Sequence, residues 1–196
     1  MGDLGAIVIA GGAATRFGSD KLATRDHAGR TLLEVTVRAA AEVADPVVVV
    51  GPRVDLPVPV LWAREEPAGS GPCAALVAGL ACLPADVTHV AVLAGDAPRG
   101  AEAVLALRQV MDDAAAATVV DEHGREQPMT AVYAVAPLRE VAASYGDGAG
   151  MAIRQALDDL RDQTVVAVID RWGAAEDVDV AEDAARLGFR VDPGGS

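Results

Sequence analysis

The sequence predicts an α/β protein, a mostly parallel twisted sheet with helices on both faces. Three observations predict it. Short apolar runs alternate with longer segments of helical spacing. Those runs are apolar nearly throughout, as strands covered on both faces are. The chain has 196 residues, long enough for a sizeable core. The expected organisation is a single domain over residues 1–190, with a frayed tail at 191–196 (VDPGGS).

The first strand is Gly5–Ala10 (GAIVIA), and it runs into a glycine pair. Thr31–Val43 follows as a helix, with Leu32, Leu33, Val35, Val37 and Ala40 on one broad apolar face. Pro46–Val50 (PVVVV) and Val58–Trp62 (VPVLW) read as the next two strands. Pro72–Leu83 reads as a helix with proline in its first turn, where the missing N–H costs nothing. His89–Ala94 (HVAVLA) is a strand, and Glu102–Met111 an amphipathic helix. Thr130–Val135 (TAVYAV) and Thr164–Ile169 (TVVAVI) are strands that flank a helix at Met151–Leu160.

The composition narrows the function. The formal net charge is −13 and the pI about 4.5. Such a surface repels nucleic acid and anionic membrane, so neither is expected as a partner. An anionic ligand would need a local basic site or a metal ion. Cys73 and Cys82 read as reduced, buried small hydrophobes, and His27, His89 and His123 are too scattered for a zinc site. No apolar run reaches membrane-spanning length, and the first residues lack a basic leader segment. A cytoplasmic location is the expectation.

Ligands of open parallel sheets bind beyond the C-terminal ends of the strands. The first such end carries GGAATRFGSDK, Gly11 to Lys21. A glycine pair there lets backbone N–H groups approach and cradle an anion. Lys21 is the only lysine; the other fifteen of the sixteen basic residues are arginine. Between Gly11 and Arg30, four basic residues (Arg16, Lys21, Arg25, Arg30) face two acidic ones (Asp20, Asp26), a local +2 in an acidic chain. A compact ammonium contacts phosphate differently from a flat guanidinium, which is a reason to keep one lysine here. The alternative is a glycine-rich connection with solvated charges. Neither GxxxxGK[ST] nor GxGxxG is present.

Asp96 follows the fourth strand, in Gly95-Asp96-Ala97-Pro98. It can hold a hard cation such as Mg2+, or it can cap the helix near Gly100–Met111. Asp177 and Asp179 offer further carboxylates, or a capping sequence in which Glu182 follows Asp179 by three.

IAGGAATRFGSDK resembles the LAGG-x-S-x-R-M-G-x-D-K signature of the MobA-like molybdenum cofactor guanylyltransferases, with Ile9, Thr15 and Phe17 as mild departures. Gly69-Ser70-Gly71-Pro72, Ala94–Pro98, the stretch Gly124–Tyr133 (GREQPMTAVY) and Asp177–Asp183 (DVDVAED) are similar, in order, to later segments of that family. The resemblance implies a single Rossmann-like domain of the nucleotide-diphospho-sugar transferase type. It also implies transfer of GMP from GTP to the terminal phosphate of a molybdopterin-type acceptor, with release of pyrophosphate. Ala10, Gly11, Gly12, Ala13, Lys21, Glu65 and Asp96 would bind the nucleotide. Arg16, Lys21 and Asp96 would be catalytic, and Asp96 with Asp179 would hold Mg2+. Gln127 and Tyr133 would line the acceptor side, although Tyr133 also reads as plain core. Contacts with other cofactor-biosynthesis proteins would be transient.

The glycine pair points to GTP, since cytosine-using relatives carry alanine-glycine there. Two departures matter: Glu65 stands where the family has aspartate, and Gly51-Pro52 where many members have asparagine. The competing readings are a cytidylyl or other small-molecule nucleotidyltransferase of the same fold, and a relative that binds nucleotide without catalysis. GxSxG is absent, and an already anionic nucleophile needs no such device.

Overall fold

The computed structural model describes residues 3–11 and 21–190. Its centre is a seven-stranded sheet built from β1 (Leu4–Ile9), β3 (Val47–Val50), β4 (Leu61–Ala63), β5 (His89–Ala94), β6 (Ala116–Val120), β7 (Glu126–Ala134) and β8 (Val165–Ile169). The order across the sheet is β4-β3-β1-β5-β7-β6-β8. Four of the six neighbouring pairs are parallel; β7 runs antiparallel to both β5 and β6. The C-terminal ends of β4, β3, β1, β5, β6 and β8 therefore share one rim, which also receives the start of β7. A second, two-residue ribbon pairs β2 (Arg25–Asp26) with β9 (Phe189–Arg190).

Each central strand supplies both faces, which is why it reads as unbroken apolar sequence. Ile7 and Ile9 of β1, with Val48 and Val50 of β3, enter one core cluster. Ala6, Val8, Val47 and Val49 enter the other. The first cluster is covered by α2 (Pro72–Cys82), α4 (Val135–Ala143) and α5 (Arg154–Asp159). The second is covered by α1 (Leu32–Val43) and α3 (Val104–Met111). Leu107 of α3 is fully buried, so its truncation to alanine would cost about 2–5 kcal/mol.

Local chemistry sets the helix ends. The Thr31 hydroxyl accepts the Glu34 N–H at 3.1 Å and starts α1. Pro72 opens α2, and the Arg139 guanidinium of α4 donates to the Leu80 and Leu83 carbonyls at its far end, at 3.3 and 3.0 Å. A third, small core of Leu32, Val178, Ala184 and Phe189 ties α6 (Ala181–Arg186) and β9 to the start of α1. The C-terminal segment thus folds back over the residues that follow Lys21.

The structure corrects several sequence expectations. β6 and α4 were not expected. β6 opens on two alanines, a weak strand signal, and Pro137 of α4 reads as a breaker although it lies in the first turn. β4 begins at Leu61 rather than Val58, because Pro57 and Pro59 cannot donate to a ladder. The helix expected at Glu102 opens as a 3-10 turn, Gly100–Ala103. Cys73 is buried as expected, but Cys82 is exposed at the last residue of α2. The tail expected at 191–196 lies outside the described residues.

Candidate functional site

Asp96 stands two residues beyond β5, at the middle of the sheet. The Ala97 N–H returns to the Ala94 carbonyl at 3.2 Å, so the chain turns at once. The Thr36 hydroxyl of α1 donates to the Gly95 carbonyl at 3.1 Å and fixes the turn from beneath. Asp96 is not a helix cap: the 3-10 turn at Gly100 is preceded by Arg99. Its carboxylate forms an ion pair with the Lys21 ammonium.

Lys21 opens a short 3-10 turn, Lys21–Ala23, held to α1 by the Leu32 N–H donating to the Thr24 carbonyl at 2.8 Å. The following loop is rigid, because the Asp26 carboxylate accepts the Ala28 and Arg30 N–H groups at 2.9 Å and the Arg30 Nε at 2.8 Å. The Lys21 ammonium also lies 3.4 Å from Asp179 Oδ1. These two residues are 158 apart in sequence, and the fold-back of α6 and β9 brings them together.

Asp177 completes the cluster. One carboxylate oxygen from each of Asp96, Asp177 and Asp179 lies within 4.8 Å of the others. Among the described residues, three carboxylates face one ammonium in this corner, an excess of negative charge. Burial alone would depress the Lys21 ammonium, yet hydrogen bonds and charge from Asp96 and Asp179 outweigh it and raise its pKa above the ordinary lysine value. Asp177 is partly exposed to solvent. Partial burial, then the charges of Asp179 and Asp96, push its carboxyl above the usual aspartate range. Clustered hard oxygen donors with unmatched negative charge suit Mg2+ or a similar cation.

The segment carrying these acids is itself braced. Asp170 follows β8, and its carboxylate accepts the N–H groups of Trp172, Ala174 and Ala175 at 2.9, 3.1 and 2.9 Å. Burial opposes the charge, but these donors hold the carboxyl below the ordinary aspartate range. The Val178 N–H then donates to the Asp96 carbonyl at 3.2 Å, which joins the far loop to the central strand. Sequence reasoning missed Asp170; its signal was an aspartate directly after a strand and ahead of a glycine turn. The expected capping of the last helix takes another form: the Asp183 carboxylate, not Glu182, accepts the Asp179 and Val180 N–H groups at 3.2 and 3.1 Å.

A second group lies at the neighbouring strand ends. The Ala10 N–H donates to the Val50 carbonyl and the Gly51 N–H to the Ala63 carbonyl, at 2.8 and 3.1 Å. A side chain at Gly51 would put its Cβ 2.9 Å from the Ala10 carbonyl oxygen, so an asparagine at this position would force this backbone apart. Glu65 follows β4 and is only 6% exposed. Its Oε1 accepts the Gly69 N–H at 2.9 Å, while Oε2 has no partner among the described residues. A Cβ on Gly11 would lie 3.3 Å from Oε1, which places Glu65 against the first glycine of the loop. Gly12, Ala13 and Arg16 lie outside the described residues.

On the other side of Asp96, Tyr133 is fully buried and donates to the Pro128 carbonyl at 2.8 Å; it is core, and burial raises its phenol pKa. Gln127 is half-buried, and its amide donates to Asp121 at 2.9 Å. Among the described residues, no helix is long and apolar enough to cross a membrane.

Comparison with known proteins agrees with this fold. Residues 6–165 match the family model described as MobA-like NTP transferase domain. A probable molybdenum cofactor guanylyltransferase of Synechococcus elongatus is 39% identical over 146 residues, covering 67% of this chain and 73% of that protein. The crystal structure of 4-diphosphocytidyl-2C-methyl-D-erythritol synthase from Anaerococcus prevotii has a TM-score of 0.68 at 14% identity, with 94% of each chain covered. The Rv0371c protein of Mycobacterium tuberculosis, solved in complex with manganese, has a TM-score of 0.62 at 18% identity, covering 94% of this chain and 97% of that one. Likenesses at such identities speak for the fold.

Proposed function

We propose a reaction from one premise: this chain belongs to the MobA-like NTP transferase family. It is a nucleotidyltransferase of α/β fold, and the reaction is transfer of GMP from GTP to the terminal phosphate of a molybdopterin-type acceptor. An acceptor phosphate oxygen forms a bond to the α-phosphorus of GTP. The bond from that phosphorus to its bridging oxygen breaks, and pyrophosphate leaves with the electron pair. The observation that carries this reading is the meeting of Lys21 with Asp96 and Asp179 at the C-terminal rim of the sheet.

Catalysis here is positioning and charge matching. The nucleophile is already an anion, so no side chain needs to take a proton from it. Lys21, held ionised by its carboxylate partners, offers its ammonium to the phosphate oxygens. The family resemblance gives Arg16 the leaving pyrophosphate and the Gly11–Ala13 amides the phosphates as roles they would take; of these residues only Gly11 is among those described. Asp96 and Asp179, with Asp177 beside them, would hold Mg2+. When bound, that ion neutralises phosphate charge and orients the oxygens it touches.

Glu65 supports a guanine donor. Its Oε1 is fixed by Gly69, and its buried Oε2 lacks a hydrogen bond from the described residues. A buried carboxylate oxygen without a donor is costly, and a base N–H would satisfy it. Guanine presents two such donors along one edge. The test is pyrophosphate release from GTP in the presence of molybdopterin and Mg2+. Release that requires both substrates supports guanylyl transfer. Release with CTP in place of GTP would move the reading to cytidylyl transfer, and no release with any nucleotide would leave a binding protein.

A further inference from the structure

We propose that Asp170 is a positioning residue for the metal site: it sets the loop that delivers Asp177 and Asp179 to Asp96. The inference rests on the reading of those three acids as metal ligands. Asp170 touches none of them. It lies at the end of the edge strand β8, and the chain from there must cross the rim towards the centre of the sheet. A free loop of that length would hold its carboxylates loosely and pay for ordering them on each binding event.

Three braces remove that freedom, and Asp170 is the first. Its single carboxylate gathers the N–H groups of Trp172, Ala174 and Ala175, which curls the chain through Gly173 at φ +67. The curl drives the Ala174 side chain into the core, fully buried. The second brace is Arg99, from the loop after Asp96. Its guanidinium is held by Glu102 and packs over Gly173, so closely that a Cβ there would lie 2.5 Å from it. The third is Val178, fully buried between Asp177 and Asp179, whose N–H donates to the Asp96 carbonyl. With Val178 fixed, its two neighbours are presented on the site side. Asp121 provides an internal comparison. It organises a similar turn after β6, accepting the His123 and Arg125 N–H groups at 2.8 and 2.9 Å, but its turn carries none of the three acids.

The experiment is Mn(II) binding to the full chain, read from the electron paramagnetic resonance signal of the free aqua ion, alongside thermal unfolding. The wild type is expected to bind Mn(II), and Asp96→Asn to abolish binding. Asp170→Ala is expected to raise the Mn(II) dissociation constant about tenfold or more, as loss of a supporting hydrogen-bond partner does at metal sites. Asp170→Asn keeps Oδ1 as an acceptor for Trp172 and Ala174 and loses the bond to Ala175; it is expected to raise the constant by a smaller factor than Asp170→Ala. Asp121→Ala is expected to leave it unchanged. A merely structural carboxylate would lower the unfolding temperature and leave the Mn(II) affinity of the folded protein where it was. That result in Asp170→Ala, or in Asp170→Asn should the alanine variant not fold, overturns the inference while the metal reading stands. A wild type that binds no Mn(II), or binds it equally after Asp96→Asn, overturns both.

Discussion

Asp96 and the Asp177–Asp179 pair reach the same site by opposite routes. Asp96 sits two residues past the central strand β5, between β1 and β7, on a turn locked by Thr36 from below. The pair arrives from the edge strand β8, at the end of a loop with no regular structure, and is held by a handful of polar contacts, from Asp170 at one end to Asp183 at the other. A carboxylate placed by a buried strand takes its position from the core. A carboxylate placed by a loop takes it from a few polar contacts. The site can therefore be tuned from its periphery: the central acid is costly to move, and the peripheral pair can be loosened without disturbing the sheet.

The largest expected effect is at the centre. Asp96→Ala removes a proposed ligand and the main partner of Lys21, and nucleotidyl transfer should fall by ~10²–10³ with the fold retained. Circular dichroism and turnover, measured together, check both halves of that statement. Lys21→Arg should lose roughly tenfold or more despite keeping the charge, since a fork does not replace a point ammonium between two carboxylates. Turnover within twofold of wild type would remove the reason given for the lone lysine.

On the peripheral side, Asp179→Ala should cost about tenfold in Mn(II) affinity, less than any change at Asp96. Equal losses at the two positions would erase the distinction between core-placed and loop-placed acids. Asp177 sharpens it further. Its carboxyl is raised by burial and by the charges of Asp179 and Asp96, so protons compete with metal at a higher pH than for an ordinary aspartate. Mn(II) affinity should therefore rise with pH through that raised value, and Asp177→Asn should flatten the profile. The same variant relieves repulsion among the three carboxylates when no metal is added, so its unfolding temperature should rise slightly, by a stability gain of about 0.5 kcal/mol or less.

The smallest effect concerns acid stability. The Asp170 carboxyl is depressed in the folded protein below the ordinary value of 3.8, so its contribution is present above that value. It is lost as pH falls through the depressed value. The stability difference between wild type and Asp170→Asn should accordingly be largest near neutrality and vanish in strong acid. A difference that stays constant with pH would mean that the charge of Asp170 does not matter to the loop.

The sequence made the core-placed half of the site legible and the loop-placed half only partly so. β1 and β5 are apolar on both faces, so their ends, and with them Gly11 and Asp96, could be located from the pattern alone. β6 escaped because alanines carry little strand signal, and α4 because Pro137 resembles a breaker until its place in the first turn is known. Asp177 and Asp179 stood out as acids, but nothing local says that they meet Lys21. That meeting depends on the small core of Leu32, Val178, Ala184 and Phe189, which joins the two ends of the chain. Asp170 left only a faint trace, an aspartate after a strand and before a glycine, because its partners are backbone N–H groups, which carry no residue signature. Gly51 became intelligible only with the Ala10 carbonyl beside it.

If the reading of the site holds, this rim binds a guanine nucleotide through Lys21 and its acidic partners. Calorimetric titration of GTP, CTP and ATP with Mg2+, on the wild type and on Lys21→Ala, tests it most directly. GTP should bind in clear preference to the other two, and Lys21→Ala should lose that binding. Preference for CTP would contradict the guanine assignment, and nucleotide binding unchanged by Lys21→Ala would contradict the site itself.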